Sequence, residues 1–318
     1  MYENSIVKDI ENVQTIYIAG HTNPDGDCIG STFAFALAMA ELGKRPVILL
    51  EDYAEEFNIL KGREYVYRGS YEELEPEIMF SLDCAEKSRL GKAEEVFEKA
   101  KYTYNIDHHI SNGNFANVNI VNGNASSACE VVYEVIKDFV NIDRDIASAL
   151  YTGILTDTGG FRHDCTSERT HQIAGRLVAL GVDTPNIHTK ILMEHSLVSA
   201  RIFAKAICKM KLENGIAYTY VTKEDMYECG AEPKNLDAVV GYLLNTAGAE
   251  VSVFASERAG NTVKLSFRSK RTDVNEVAAL FGGGGHRLAA GASAEGNVID
   301  ILNKAIEEVR SRLDENDR

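Results

Sequence analysis

From Thr15 to about Asp107 short apolar runs alternate with longer segments of helical period: TIYIA, IGSTFAFALAMAEL, PVILL, IMFSLD and YTYNID. Apolar runs of strand length separated by helix-length stretches predict a mostly parallel α/β sheet. Residues 126–140, 145–157 and 167–180 continue the helical period, the last stopping at Gly181, and are expected to pack on that sheet. Beyond Gly181 the pattern changes. Pro185 opens another helical stretch and 198–211 reads as a further helix, before short strands begin: GIAYTYVT, AEVSVFASE and NTVKLSFRSK. Helical period returns at 236–246, 274–281 and 298–313, which together with the strands predicts a smaller α+β domain. The expected division is 1–187, a helical linker 188–209, and 210–318, with the final LDENDR fraying.

Composition narrows the class. With 318 residues, 45% hydrophobic and 25% charged, the chain can bury a real core. A net charge of −15 opposes tracking along long duplex nucleic acid, which binds by counterion release. The six cysteines, Cys28, Cys84, Cys129, Cys165, Cys208 and Cys229, form no C-x-x-C pair. That spacing argues against a disulfide scaffold or a structural zinc and fits a reducing cytoplasm. The start shows no basic segment followed by an apolar one, and the longest apolar run, 33–40, is eight residues, so no membrane association is expected. Oligomeric state is open, and a homodimer is compatible with the sequence.

In an open parallel sheet, ligands bind just beyond the carboxyl ends of the strands. TIYIA runs into His21, Asp25 and Asp27; IMFSLD ends at Asp83; YTYNIDHH ends at Asp107, His108 and His109; and Asp157 closes an apolar segment before Gly159 and Gly160. Singly, each has an ordinary explanation. Asp25 in NPDGD is turn chemistry, Asp83 or Asp157 caps a helix, and His108 is a satisfied buried histidine. Their conjunction is different, because several carboxylates at one sheet edge repel one another and are costly to desolvate without a cation. Aspartate oxygen with histidine nitrogen and no thiolate suits a divalent metal of intermediate hardness: manganese first, then cobalt, iron, zinc or magnesium. Four aspartates and two histidines exceed the needs of one ion and match two ions sharing a carboxylate, a usual device for phosphoryl chemistry.

The segments HTNPDGDCIGS (21–31), LDC (82–84), DHH (107–109) and TDTGGFR (156–162) resemble, in order, the four motifs of the DHH phosphoesterase superfamily. GGGGHRLAAGAS (282–293) is similar to the signature of the DHH-associated C-terminal domain. The resemblance implies two divalent ions: His21, Asp25 and Asp83 on the first, and Asp27, Asp83, His108 and Asp157 on the second, with Asp83 bridging. It implies that His109 faces the substrate phosphate, that Asp107 orients a neighbouring imidazole or the strand end, and that the active site lies in the cleft between the domains. It also implies that Arg268, Gly284, Gly285 and His286 hold the part of a nucleotide remote from the metals. By itself the glycine run is a flexible loop and Arg268 an exposed strand-end charge.

The expected function is hydrolysis of short nucleotides by water activated at two metals, with manganese favoured. The substrates implied are nanoRNA, linear dinucleotides such as pApA, and 3′-phosphoadenosine 5′-phosphate (pAp), as in oligoribonuclease and pAp phosphatase members. Alternatives are a cyclic di-AMP phosphodiesterase, a manganese inorganic pyrophosphatase, and a nucleotide-binding regulator without catalysis. The pyrophosphatase is disfavoured by the presence of GGGGH and the lack of that enzyme's basic C-terminal motif.

Overall fold

The computed structural model describes residues 3–316 of the backbone and side chains from 6 to 313. The chain divides between Glu194 and His195 into two compact units. In the first, helix α1 (Glu3–Ile10) precedes β1 (Thr15–Ala19), α2 (Gly26–Glu41), β2 (Arg45–Leu49), β3 (Ile78–Leu82), α3 (Glu94–Lys99), β4 (Tyr102–Asp107) and β5 (Val118–Val121). Three helices follow: α4 (Ala128–Ile136), α5 (Arg144–Asp157) and α6 (Glu168–Ala179). The strands form an entirely parallel sheet in the order β2-β1-β3-β4-β5. The central strand β3, IMFSL, is buried throughout, which explains why it reads as a continuous apolar run.

Helix α2 is apolar on nearly every side because it lies between the sheet and α5. Glycine permits that crossing: a Cβ on Gly30 would meet Ala149 O at 2.6 Å, and one on Gly153 would meet Asp27 Oδ1 at 2.7 Å. The same face of the sheet carries Phe80 stacked on Tyr104, with ring centroids 4.7 Å apart. The opposite face carries a thinner layer of Ala19, Leu49 and Met79 under Leu90, Val96 and Phe97.

Helix α7 (Thr184–His188), with Pro185 in its first turn, and a π-helical turn at Thr189–Met193 close the first unit. The stretch 188–209, expected as a linker, does not form a separate segment. Its helix α8 (Leu197–Cys208) is part of the second unit, with Ile202 and Ala206 buried in a core shared with Val239, Leu243 and Phe254. The remaining elements are β6 (Lys211–Glu213), β7 (Ile216–Val221), α9 (Lys223–Cys229), α10 (Asp237–Leu244), β8 (Val251–Arg258) and β9 (Thr262–Ser269). They continue with α11 (Asn275–Leu280), β10 (Gly284–His286), β11 (Ala289–Glu295) and α12 (Val298–Asn316). The mixed sheet runs β10-β11-β9-β8-β7-β6, with α8 and α10 packed on one face and α11 and α12 on the other. Helix α12 extends to Asn316, so the tail expected to fray from Leu313 is helical that far; 317–318 lie outside the described residues. No helix among the described residues is long and apolar enough to cross a membrane.

Candidate metal centre

Because β2 lies on one side of β1 and β3 on the other, the connections leaving β1 and β3 diverge and open a crevice at their carboxyl ends. The acids and imidazoles gather at this switch point. His21 follows β1, Asp83 follows β3 directly, and His108 and His109 follow β4. Asp25 caps α2, its Oδ1 accepting from the backbone N–H groups of Asp27 and Cys28 at 3.1 Å each. Asp27, in the first turn of α2, also receives the N-terminus of α4: its Oδ2 accepts from Ala128 N–H at 2.5 Å and its Oδ1 from Cys129 N–H at 2.9 Å. Asp157 is the last residue of α5.

Asp83 sits at the centre of the group. Its φ of 54° is left-handed, a conformation that aspartate tolerates better than most residues but that still costs about 1–2 kcal/mol. Its backbone N–H donates to Ile106 O at 3.0 Å, which holds the turn against β4. Asp83 Oδ2 lies 3.4 Å from His21 Nε2, and Oδ1 lies 3.6 Å from His108 Nε2 and 3.7 Å from His109 Nδ1. Oδ1 is buried and has no hydrogen-bond partner among the described residues. His21 Nε2 is 3.7 Å from Asp25 Oδ1, while His108 Nε2 is 3.3 Å from Asp157 Oδ2 and 3.9 Å from Asp27 Oδ2. These separations exceed hydrogen-bond lengths. They lie close to the roughly 3.0–3.4 Å between two ligands each about 2.1 Å from a shared ion. A buried carboxylate oxygen without a donor, surrounded by imidazole nitrogen, therefore fits a divalent cation, and the structure brings together all six residues expected to ligate.

The electrostatics agree. Burial, then the charges of Asp83 and Asp157, holds Asp27 well above the usual carboxylate range. Burial, then Asp83 and Asp25, pushes Asp157 up to about 7. For His21 burial opposes the charged form, but contacts with Asp25 and Asp83 outweigh it and raise the pKa to about 10. Without a cation the cluster retains protons to relieve its own repulsion. The buried Cys28 thiol lies near His21 and Asp83 and packs on Gly20, where a Cβ would meet its Sγ at 2.2 Å, and burial raises its pKa well above the ordinary value.

His109 stands apart from the other imidazoles. Its Nδ1–H donates to Asp107 Oδ1 at 2.7 Å, and Asp107 is fully buried. Asp107 Oδ2 accepts from Asn112 Nδ2 at 2.6 Å, and that amide also donates to Asn105 Oδ1 at 2.7 Å. The Asp107 contact raises His109 above its ordinary pKa despite burial. Burial would raise Asp107, but its bonds from His109 and Asn112 hold it low. Asn105 and Asn112 are the supports that sequence reasoning missed.

In the second unit the glycine run is an ordered hairpin arm. Gly284, Gly285 and His286 pair with Gly291, Ala290 and Ala289, and Ala289 in turn pairs with Arg268 on β9. Arg268 and His286 thus share one row across three strands, about 10 Å apart at the backbone. Gly285 has φ 153° and its Cβ would meet Ala289 O at 2.6 Å, whereas one on Gly284 would meet only Asn275 Oδ1 at 3.7 Å. Packing therefore requires glycine at 285 and not at 284. Arg268 lines a cavity of about 190 Å³ together with Arg258 and Lys264. The alternation of basic and apolar residues along SFRS and TVKL was the signal for Lys264, and Arg258 ends the neighbouring strand on the same face.

Fold and cluster define a two-unit α/β protein with a divalent-cation centre at the switch point of a parallel sheet. Residues 15–154 match the DHH family, N-terminal domain, and residues 213–313 match the DHHA1 domain. The bifunctional oligoribonuclease and PAP phosphatase NrnA of Thermus thermophilus is 32% identical over 315 residues, which cover 97% of this chain and 92% of that one. An exopolyphosphatase-related protein from Bacteroides fragilis, 24% identical, shares the fold with a TM-score of 0.85 over 96% of both chains. An exonuclease RecJ bound to manganese, 12% identical, aligns with a TM-score of 0.54 over 98% of this chain and 93% of that one. The chain belongs to the DHH family.

Proposed function

We propose that the protein hydrolyses phosphate esters of very short nucleotides: nanoRNA, linear dinucleotides such as pApA, and pAp. The observation that carries the reading is Asp83, a buried, left-handed carboxylate whose Oδ1 has no donor and faces His108 and His109. Two divalent ions, manganese preferred, are assigned to His21, Asp25 and Asp83 and to Asp27, Asp83, His108 and Asp157. When bound, such ions polarise a phosphoryl oxygen and lower the pKa of water toward neutrality. His109, oriented by Asp107, which also favours its protonated form, is assigned to donate to a phosphoryl oxygen whose negative charge grows during the reaction. The Asn112 amide holds Asp107 in place and is itself held by Asn105 Oδ1, so the imidazole need not reorganise.

The division of labour assigns chemistry to the first unit and remote recognition to the second. Arg268 and His286, in one row, with Gly284 as the glycine that packing leaves free, are assigned to the distal nucleotide. Arg258 and Lys264 add positive charge beside Arg268, and Asp237 is the acid among the residues lining that cavity, which suits a phosphate. The names of the NrnA relatives favour this substrate class over cyclic di-AMP, pyrophosphate or a silent regulator. The test is a panel assay of purified protein with manganese against pAp, pApA, short RNA, cyclic di-AMP and pyrophosphate. Turnover of pAp, pApA and short RNA is expected. Turnover of pyrophosphate alone, or of nothing, would overturn the reading.

A further inference from the structure

The thinner layer on the sheet opens, beyond the carboxyl ends of β1 and β2, into a cavity of about 770 Å³ that the metal centre does not account for. Its floor is apolar and buried, made by Leu49, Leu50, Leu90, Ala93 and Val96. Tyr67 and Tyr71 also line it, their ring centroids 6.1 Å apart and their planes 33° off parallel. The chain between them passes close to the first ring: a Cβ on Gly69 would meet Tyr67 Oη at 2.3 Å. Tyr67 is fixed at its backbone as well, its N–H donating to Ile48 O at 2.8 Å beside β2.

The rim is polar and mixed. Arg68 pairs with Asp52 at 3.2 Å, Lys92 forms no ion pair among the described residues, and Glu51 Oε2 accepts from Asn23 N–H at 3.3 Å. His21 and Thr22 belong to the same lining, so the cavity shares a wall with the metal centre. The turn that carries Lys92 is locked to that wall: Thr22 N–H donates to Arg89 O at 2.7 Å, and Gly91, at φ 56°, packs on the Thr22 side chain.

An apolar floor, an aromatic wall and a rim of donors and acceptors fit a flat nitrogen heterocycle. A bare phosphate would waste the floor, and an alkyl chain would strand the rim. A nucleotide places its base one ribose away from its phosphate, and the cavity adjoins the metal centre through His21. We infer that the cavity holds the base of the nucleotide whose phosphate is attacked, stacked against Tyr71 and Tyr67. The inference rests on the nucleotide reading above and adds a base-recognition site within the first unit, separate from Arg268 and His286.

The test crosses substrate and protein changes. Full-length wild type, Tyr71→Ala and the cavity-filling Ser70→Trp are assayed with manganese on pApA and on two analogues, each with one base replaced by hydrogen. Thermal melting of each variant checks folding. Loss of one stacked base should raise the wild-type KM roughly tenfold to a hundredfold for one analogue, with little change in kcat. That penalty should vanish in both variants, because the base then has nothing to lose. An unchanged penalty in the variants, or no proximal penalty in the wild type, overturns the inference. If the wild type turned over no nucleotide, the functional reading would fall. AMP titration by calorimetry would then still decide the cavity, since equal affinity in wild type and Ser70→Trp overturns it.

Discussion

The two units present their functional groups in opposite ways. In the first, carboxylates and imidazoles are drawn into a buried cluster, with Asp27 and Asp83 almost fully covered and Asp83 in a strained backbone. In the second, His286 is exposed and Arg268 half-buried on regular strands, and Gly283 and Gly285 serve strand packing. Buried like charges raise the free energy of the folded state unless a cation offsets them, whereas a half-buried guanidinium near a strand end costs little. The ligands assigned in the first site should therefore affect metal, rate and stability together, and residues of the second should affect binding alone.

The largest effect expected is at Asp83. Asparagine accepts the left-handed backbone and keeps the volume, so Asp83→Asn should fold. It should lower kcat/KM on pApA by more than about a thousandfold. The same change removes a charge from the repelling cluster, so the chelator-treated variant should melt above the chelator-treated wild type. A variant that loses activity and also melts lower would break the contrast between the units.

Next is His109→Ala, which removes a donor to the phosphoryl group without removing an assigned ligand. The kcat should fall by about a hundredfold to a thousandfold with metal content unchanged. Metal analysis is the check, and loss of an equivalent would make His109 a ligand. Asp107→Asn should weaken the same step less and shift the acid–base profile of the rate, since Asp107 raises the His109 pKa.

How much of this the sequence disclosed depended on what each residue type signals. His21, Asp25, Asp27, Asp83 and the 107–109 triplet follow apolar strand runs, so their shared edge was legible from periodicity alone. Asp157 was legible as the end of a segment of helical period, but not that this helix would bring it beside Asp27. Asn105 and Asn112 were invisible: an asparagine inside a strand run or in an Asn-Gly turn has commoner explanations than holding an aspartate. The glycine run was expected as a flexible loop and β11 was not foreseen, because GGH and AAGASAE lack the β-branched residues that mark strands. Helix α8 had a clear helical period, yet periodicity does not say what a helix packs against. Helix α9 was missed although Thr222 and Asp225 form a capping box there.

In the second unit, Arg268→Ala and His286→Ala should each lower kcat/KM on pAp by about one to two orders of magnitude, the scale of one charge-assisted contact. Neither should change metal content, melting temperature, or the rate on a small phosphodiester with no second phosphate or base. Equal losses on both substrates would give these residues a part in the chemistry and merge the two regions.

The smallest effect is on pH dependence, and its sign follows from the first site. Without a cation, burial and the neighbouring carboxylates raise Asp157 from the ordinary 3.8 to about 7. The folded state thus holds a proton that the unfolded chain has released, and metal-free stability should decline as pH rises through that window. A cation displaces the proton, so manganese affinity should weaken as pH falls through about 7. Melting curves with and without manganese across this range check both slopes, and parallel curves would contradict the cluster's role.

The most direct test of the central claim, that Asp83 is the shared carboxylate of a metal centre, is a calorimetric titration of manganese into chelator-stripped wild type and Asp83→Asn. The wild type is expected to bind two equivalents, with a loss or marked weakening of both in the variant. Two equivalents bound by Asp83→Asn with wild-type affinity would contradict it.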